Sequence, residues 1–371
     1  MKKTILFILI ACLSLAVCGG AAFAEASPEE LTAEELYEIG AAAAKEEDWE
    51  KSLKYYQLAA DKNYAKAWRN LGTQYYYGQG VEQSSEKAFE YWQLAADQND
   101  VRALYNLGFL YGAGDGVEQS FEKAREYYQR AADLDDLNAI NTLGNMYFYG
   151  EGGEQSYEKA FQLYQKAADK DDAMGQNNVG MMYYYGYGVE KSYEKAFEYW
   201  QLAADQGNGY ALVGLGDLYA DGNGVEQDFD KARTCYEQAL ELNVPYAYGG
   251  LGDLYAEGKG VELDYEKARE YYQLAVDHGV PYGYFGLGVL YHEGLGVEQS
   301  YEKALELLQQ AVDLNVSNAL GCLGDMYRDG HGVEQSYEKA AEYYRQAADL
   351  GVEEADARLE ELIEAGHISK Q

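Results

Sequence analysis

Few residues in this chain have the type and spacing that chemistry demands. The four histidines, His278, His292, His331 and His367, form no pair at the spacing a shared metal ion requires. His292 and His331 stand in different segments and read as ordinary surface residues. A Gly-x-Gly motif recurs, first as Gly78-Gln79-Gly80 and last as Gly330-His331-Gly332. Such glycines can cradle phosphate, but here they follow a helical stretch and lack the third glycine of a dinucleotide loop. A need for unusual backbone angles explains them better. Asp221-Gly222-Asn223-Gly224 has the opening of a calcium loop without its ligand spacing or closing Glu. Cys235 and Cys322 lie 87 residues apart in different helical segments, too remote for a disulfide, and read as buried thiols. The expectation is a non-enzymatic protein with no cofactor and no metal site.

Charge narrows the partners. Asp plus Glu total 64 against 29 Lys plus Arg, a formal net charge of −35 over 371 residues. Nucleic acid and anionic membrane surfaces both ask for a basic face, and neither is an expected partner. Hydrophobic residues at 47% place the chain among folded proteins rather than acidic tails. Lys2 and Lys3 precede an apolar stretch from Ile5 to Val17 and a small-residue region ending Ala22-Phe23-Ala24. That is the layout of a signal peptide, residues 1–24, cut after Ala24. Leu15-Ala16-Val17-Cys18 offers the alternative of a lipid-modified Cys18, although Val17 departs from the small residue such a site takes. The apolar stretch is shorter than the about 20 residues of a membrane span. The expected product is exported, periplasmic or secreted, and spans no membrane.

One repeated unit must position everything else. Gly72, Gly108, Gly144, Gly180, Gly216, Gly252, Gly288 and Gly324 recur every 36 residues without insertion. A fixed period of this size signals a supersecondary unit stacked on its own copies. A first helix is read from about Ala67 to Tyr77, with Ala67, Leu71, Tyr75 and Gly78 spaced by three or four. A second follows a Ser or Asp in every copy, from Ser84 to Ser336, whose side chain can accept an orphan backbone N–H. It carries Ala88, Tyr91, Trp92, Ala95 and Ala96 on one stripe. Gly207, Asn243, Gly279, Asn315 and Gly351 suit a left-handed helix stop. Each glycine inside a first helix costs about 1 kcal/mol in propensity, so its recurrence predicts close approach of the paired helix.

A first helix reading Ala-x-x-x-Leu-Gly-x-x-Tyr, a Gly-x-Gly-Val loop and then Tyr-Glu-Lys-Ala-x-x-Tyr-Tyr-x-x-Ala-Ala resembles the Sel-like repeat, a branch of the tetratricopeptide superfamily. The resemblance covers residues 65–352 as eight copies. It implies an all-α fold, a right-handed α/α superhelical solenoid of helix-turn-helix repeats. Residues 25–64 resemble a plain tetratricopeptide unit, because Gly40 precedes Ser52 by 12 residues where Gly72 precedes Ala88 by 16. Residues 353–371 read as a C-terminal capping helix and tail, with Glu360 in the glycine column.

In such stacks the first helices line a concave groove, and positions −3, +1, +4 and +5 from the glycine face it. The resemblance thereby implies partner contacts at Arg69, Thr73, Tyr76 and Tyr77, then Tyr105 and Phe109. The third copy supplies Asn141, Asn145, Phe148 and Tyr149, and the fourth Asn177, Met181, Tyr184 and Tyr185. From the fifth copy onward the same columns turn acidic, with Asp217, Asp221, Asp253, Glu257, Glu293, Asp325 and Asp329. Asn side chains can pair with an extended backbone, Tyr faces supply rigid contact area, and the acids suit Lys or Arg. The expected partner is a protein or extended peptide with basic residues, bound by a monomeric scaffold. The alternative partner is a glycan or cell-wall fragment stacked on the Tyr-rich half. A competing view makes the tyrosines internal packing and the acids a source of solubility.

Overall fold

The computed structural model of the chain describes residues 27–352 and 354–369; the leader read at residues 1–24, with Cys18, lies outside them. Among the described residues there are nineteen α-helices and no strand. Eighteen helices form nine hairpins, and Ala355–Glu364 follows them. The chain divides into two compact units, one up to Leu134 and one from Asp135. The first holds three hairpins, Ala33–Lys45 with Trp49–Asp61, Ala65–Tyr77 with Ser85–Ala96, and Val101–Ala113 with Phe121–Asp133. The second holds six, from Leu137–Tyr149 with Tyr157–Ala168 to Asn318–Asp329 with Tyr337–Asp349. Within each unit, each hairpin packs on the next.

Local chemistry sets the helix ends. The predicted caps form: Ser156 Oγ accepts the Lys159 N–H at 3.3 Å, and Asp228 Oδ1 accepts that of Lys231 at 3.0 Å. At the helix stops, Gly207, Asn243, Gly279, Asn315 and Gly351 all have positive φ, between 59° and 83°. Asn63, Asn99, Asp135 and Asp171 do the same work in the other copies.

The column glycines meet aromatic rings. A Cβ on Gly72 would lie 2.5 Å from the Trp92 indole, and one on Gly144 2.5 Å from the Tyr164 ring. Both rings, 20 residues beyond their glycines, therefore rest on bare helix backbone. In the second unit three of these rings are covered on their other face too. Gly214 lies against Trp200, Gly250 against Tyr236 and Gly286 against Tyr272. Each such ring is held between the first helices of two successive repeats.

The Gly-x-Gly loop ties one repeat to the one before it. Its first glycine ends the helix in a left-handed turn, and its second, also left-handed, touches the start of the preceding hairpin's second helix. A Cβ on Gly116 would lie 2.5 Å from the Ser85 carbonyl carbon, and one on Gly224 2.7 Å from that of Tyr193. The following Gln folds back, so that Gln155 Nε2 donates to the Phe148 carbonyl at 2.7 Å and Gln299 Nε2 to that of His292 at 2.8 Å. In all eight 36-residue copies the Lys of Glu-Lys-Ala, or of Asp-Lys-Ala in the fifth, sits over the tyrosine three residues past the column glycine, as Lys159 does over Tyr147 at 5.1 Å. Much of the tyrosine content is thus structural.

The first hairpin lacks the loop extension but keeps the central contact. A Cβ on Gly40 would meet the Tyr56 ring at 2.7 Å.

Candidate functional site

The four columns proposed as contacts have different fates. Column −3 is largely a staple between repeats. The Arg69 guanidinium pairs with Asp100 at 3.2 Å, and Asp100 also caps the next first helix through the Ala103 N–H. Asn141 Nδ2 donates to Asp172 Oδ2 at 2.8 Å, and Asp172 caps the following helix through the Gly175 N–H. Asn141 is only 3% exposed, which removes it from any open contact surface. Arg69, with 16% of its side chain exposed, is committed in the same way. Tyr105 packs edge-on against Tyr128, and Asn177 is half-buried.

Column +1 follows the ring it faces. In four copies the ring is a tyrosine whose hydroxyl finds an acceptor there: Tyr164 donates to Asn145 at 2.6 Å, Tyr236 to Asp217 at 2.8 Å, Tyr272 to Asp253 at 2.6 Å and Tyr344 to Asp325 at 2.7 Å. Beside the Tyr128 ring the column holds Phe109, which offers no acceptor. Where the ring is tryptophan, the indole N–H instead donates to the carbonyl of column −3, Trp92 to Arg69 and Trp200 to Asn177. Column +1 then holds no carboxylate: Thr73 bonds its own helix at the Arg69 carbonyl, and Met181 joins the core. Phe109 stays exposed. The acids of this column are therefore first of all partners for buried phenols.

Several other acids are already engaged. Arg328 pairs with Asp325 at 3.0 Å and with Asp329 at 2.7 Å, and Arg358 of the last helix reaches Asp325 at 3.0 Å. Glu257 pairs with Lys259, and Glu293 accepts from His292 Nδ1 at 2.6 Å. Among the described residues Asp217, Asp221 and Asp253 form no ion pair. Burial pushes the Asp217 carboxyl up to about 7 against the pull of the Tyr236 hydroxyl, with Asp221 and Asp253 adding like-charge repulsion. Burial also raises Asp253, to about 6. Asp221 is raised mainly by burial, with Lys259 opposing.

Columns +4 and +5 carry the surface. In the second unit Phe148 lies against Tyr149 at 5.0 Å, Tyr157 at 5.0 Å and Tyr187 at 5.5 Å between ring centres. Tyr187 stacks on Tyr157 and on Tyr185, and Tyr185 meets Tyr184 edge-on at 4.8 Å. Tyr184 then touches Tyr193 and Trp200. The result is a continuous run of rings across two repeats, with Tyr149 69% and Tyr185 56% exposed. It adjoins the acids: burial raises the Tyr184 and Tyr185 hydroxyls, and the nearby Asp217 raises both further. In the first unit Tyr76 makes a smaller cluster with Tyr77, Trp92 and Phe109.

Two positions escaped the sequence reading. The middle residue of Gly-x-Gly meets column +4 of the preceding repeat, 39 residues earlier. Tyr187 meets Phe148, and His331 meets His292 with Nδ1 and Nε2 3.1 Å apart. It also stacks on the residue 30 earlier, Tyr187 on Tyr157 and His331 on Tyr301. The histidines dismissed for their spacing are neighbours. Cys235 and Cys322 are free, and burial raises each thiol to about 11, which leaves no reactive thiolate there. No helix among the described residues is long and apolar enough to cross a membrane.

A family model, Sel1 repeat, matches nine segments: 31–64, 65–100, 101–136, 138–172, 173–208, 209–244, 245–280, 281–316 and 318–352. The short first hairpin is thus matched along with the eight longer copies. Over 83 residues the chain is 39% identical to the Helicobacter pylori protein HcpC, which carries a beta-lactamase name. That match takes in 22% of this chain and 26% of HcpC, so the chain spans about a quarter of the curated relatives it matches. Among solved structures, a protective antigen of uropathogenic Escherichia coli with an SLR fold superposes with a TM-score of 0.69 at 29% identity, over 90% of this chain and 73% of that one. A Sel1 repeat protein from Oxalobacter formigenes gives a TM-score of 0.60 at 28% identity, over 65% and 96% of the two chains. The fold is the all-helical SLR solenoid. Proteins built this way act in protein–protein interaction as scaffolds and are typically non-catalytic. With nine matched copies from residue 31 to residue 352, this chain belongs to the Sel1 repeat family.

Proposed function

We propose that the protein is an exported, non-enzymatic scaffold that binds an extended, cation-bearing peptide segment of a partner protein. The observation that carries this is the run of rings from Phe148 to Tyr193, which ends beside Asp217 and Asp221. Exposed tyrosine faces offer rigid contact area at small entropic cost, and guanidinium or ammonium groups stack on such faces. Asp217 and Asp221, without an ion pair among the described residues, supply the complementary charge. Of the remaining column acids Asp253 accepts from Tyr272 and the others are engaged by Lys259, His292, Arg328 or Arg358, so binding concentrates at the third to fifth 36-residue copies. The acidic surface also speaks against an anionic glycan.

Fluorescence-polarisation titration with labelled decapeptides tests this reading. Peptides combining Arg or Lys with Pro or aromatic residues are expected to bind saturably, and acidic counterparts of equal length are not. Saturable binding of peptidoglycan fragments with no binding of any peptide would replace it by the glycan reading. Export by cleavage after Ala24 is tested separately by the mass of the mature N-terminus, which distinguishes it from lipidation at Cys18.

A further inference from the structure

The geometry points to a two-histidine site for a late first-row divalent cation, Cu²⁺ or Zn²⁺, at His292 and His331. Their facing nitrogens, Nε2 and Nδ1, stand 3.1 Å apart. Two nitrogens each bound at about 2.0–2.1 Å to one tetrahedral or square-planar ion are separated by about the same distance. The surroundings prepare both rings. Glu293 Oε1 lies 2.6 Å from His292 Nδ1, so the carboxylate accepts the Nδ1–H hydrogen bond and leaves the Nε2 lone pair facing His331. Carboxylates commonly orient metal-bound imidazoles in this way. His331 is held flat on Tyr301, with ring centres 4.2 Å apart and planes within 9°.

In the metal-free arrangement one proton, on His331 Nδ1, bridges the pair. Metal binding shifts the His331 proton from Nδ1 to Nε2, so the ring stays neutral and both facing nitrogens become donors. Both rings are half-buried and reachable from solvent. No group of three His, Cys, Asp or Glu side chains is arranged for a metal among the described residues. The protein therefore supplies two ligands, and water completes the shell.

The site does not depend on the peptide-binding proposal and is tested without a peptide. The untagged full-length protein is titrated with CuCl₂ and with ZnCl₂ by isothermal calorimetry at pH 7.5. One saturable equivalent is expected, tighter for copper. His292→Gln and His331→Gln should each weaken binding at least tenfold, and Glu293→Gln about tenfold. The double variant His278→Gln/His367→Gln should bind as the parent does. The parent should also lose affinity between pH 7.5 and 5.5, a measurement that needs no variant to fold. Absence of saturable binding, retention of parental affinity in His331→Gln, or loss in the His278/His367 variant overturns the proposal.

Discussion

At the scale of residues, the ring on bare backbone explains why glycine recurs inside a helix. Gly144→Ala forces a methyl into Tyr164, a rigid and buried ring, and should cost about 1–3 kcal/mol in chemical denaturation. Gly288→Ala meets Leu308 instead, a flexible side chain with its nearest atom at 2.8 Å, and should cost less. Equal losses would mean that the side chain facing the glycine does not set the cost. Asn141→Ala should lower stability by about 1 kcal/mol through the loosened cap at Asp172, with no loss in partner binding. The glycine contact was legible because a 1 kcal/mol penalty repeated eight times needs a cause. The fate of Asn141 was not, because its partner lies 31 residues away in the next repeat. One column gave no hint whether its residues face outward or staple neighbours.

At the scale of elements, the buried Tyr–Asp pairs set a pH dependence. Asp217 near 7 and Asp253 near 6 lie above the ordinary aspartate value, so the folded state holds protons that the unfolded chain releases. Their stabilising contribution is full below about pH 4 and is lost as pH rises through 6 to 7. In urea melts the double variant Asp217→Asn/Asp253→Asn should lack this loss, so that its stability relative to the parent rises from pH 4 to pH 8. A constant difference across that range would refute the raised values. Helix order, caps and left-handed stops were readable from local spacing, since each depends on residues within one turn. The contact between the Gly-x-Gly middle residue and column +4 was not. It needs the stacking register, and Tyr187 and His331 therefore looked like loop residues.

At the scale of the whole molecule, a net charge of −35 makes long-range attraction of a cationic partner inevitable at low salt. Association rates for basic peptides should fall steeply between 20 and 300 mM NaCl, on the order of tenfold, while dissociation changes little. Charge steers but does not specify; in the proposed function the run of tyrosines is the specific element. The central claim is that this run is a recognition surface rather than packing, and Tyr149 with Tyr185 tests it because both are exposed. The decisive measurement is the affinity of Tyr149→Ala/Tyr185→Ala for a basic, aromatic-containing decapeptide, taken beside its thermal midpoint. At least tenfold weaker binding with an unchanged midpoint is predicted; parental affinity, or weakening matched by a fall in the midpoint, would contradict it.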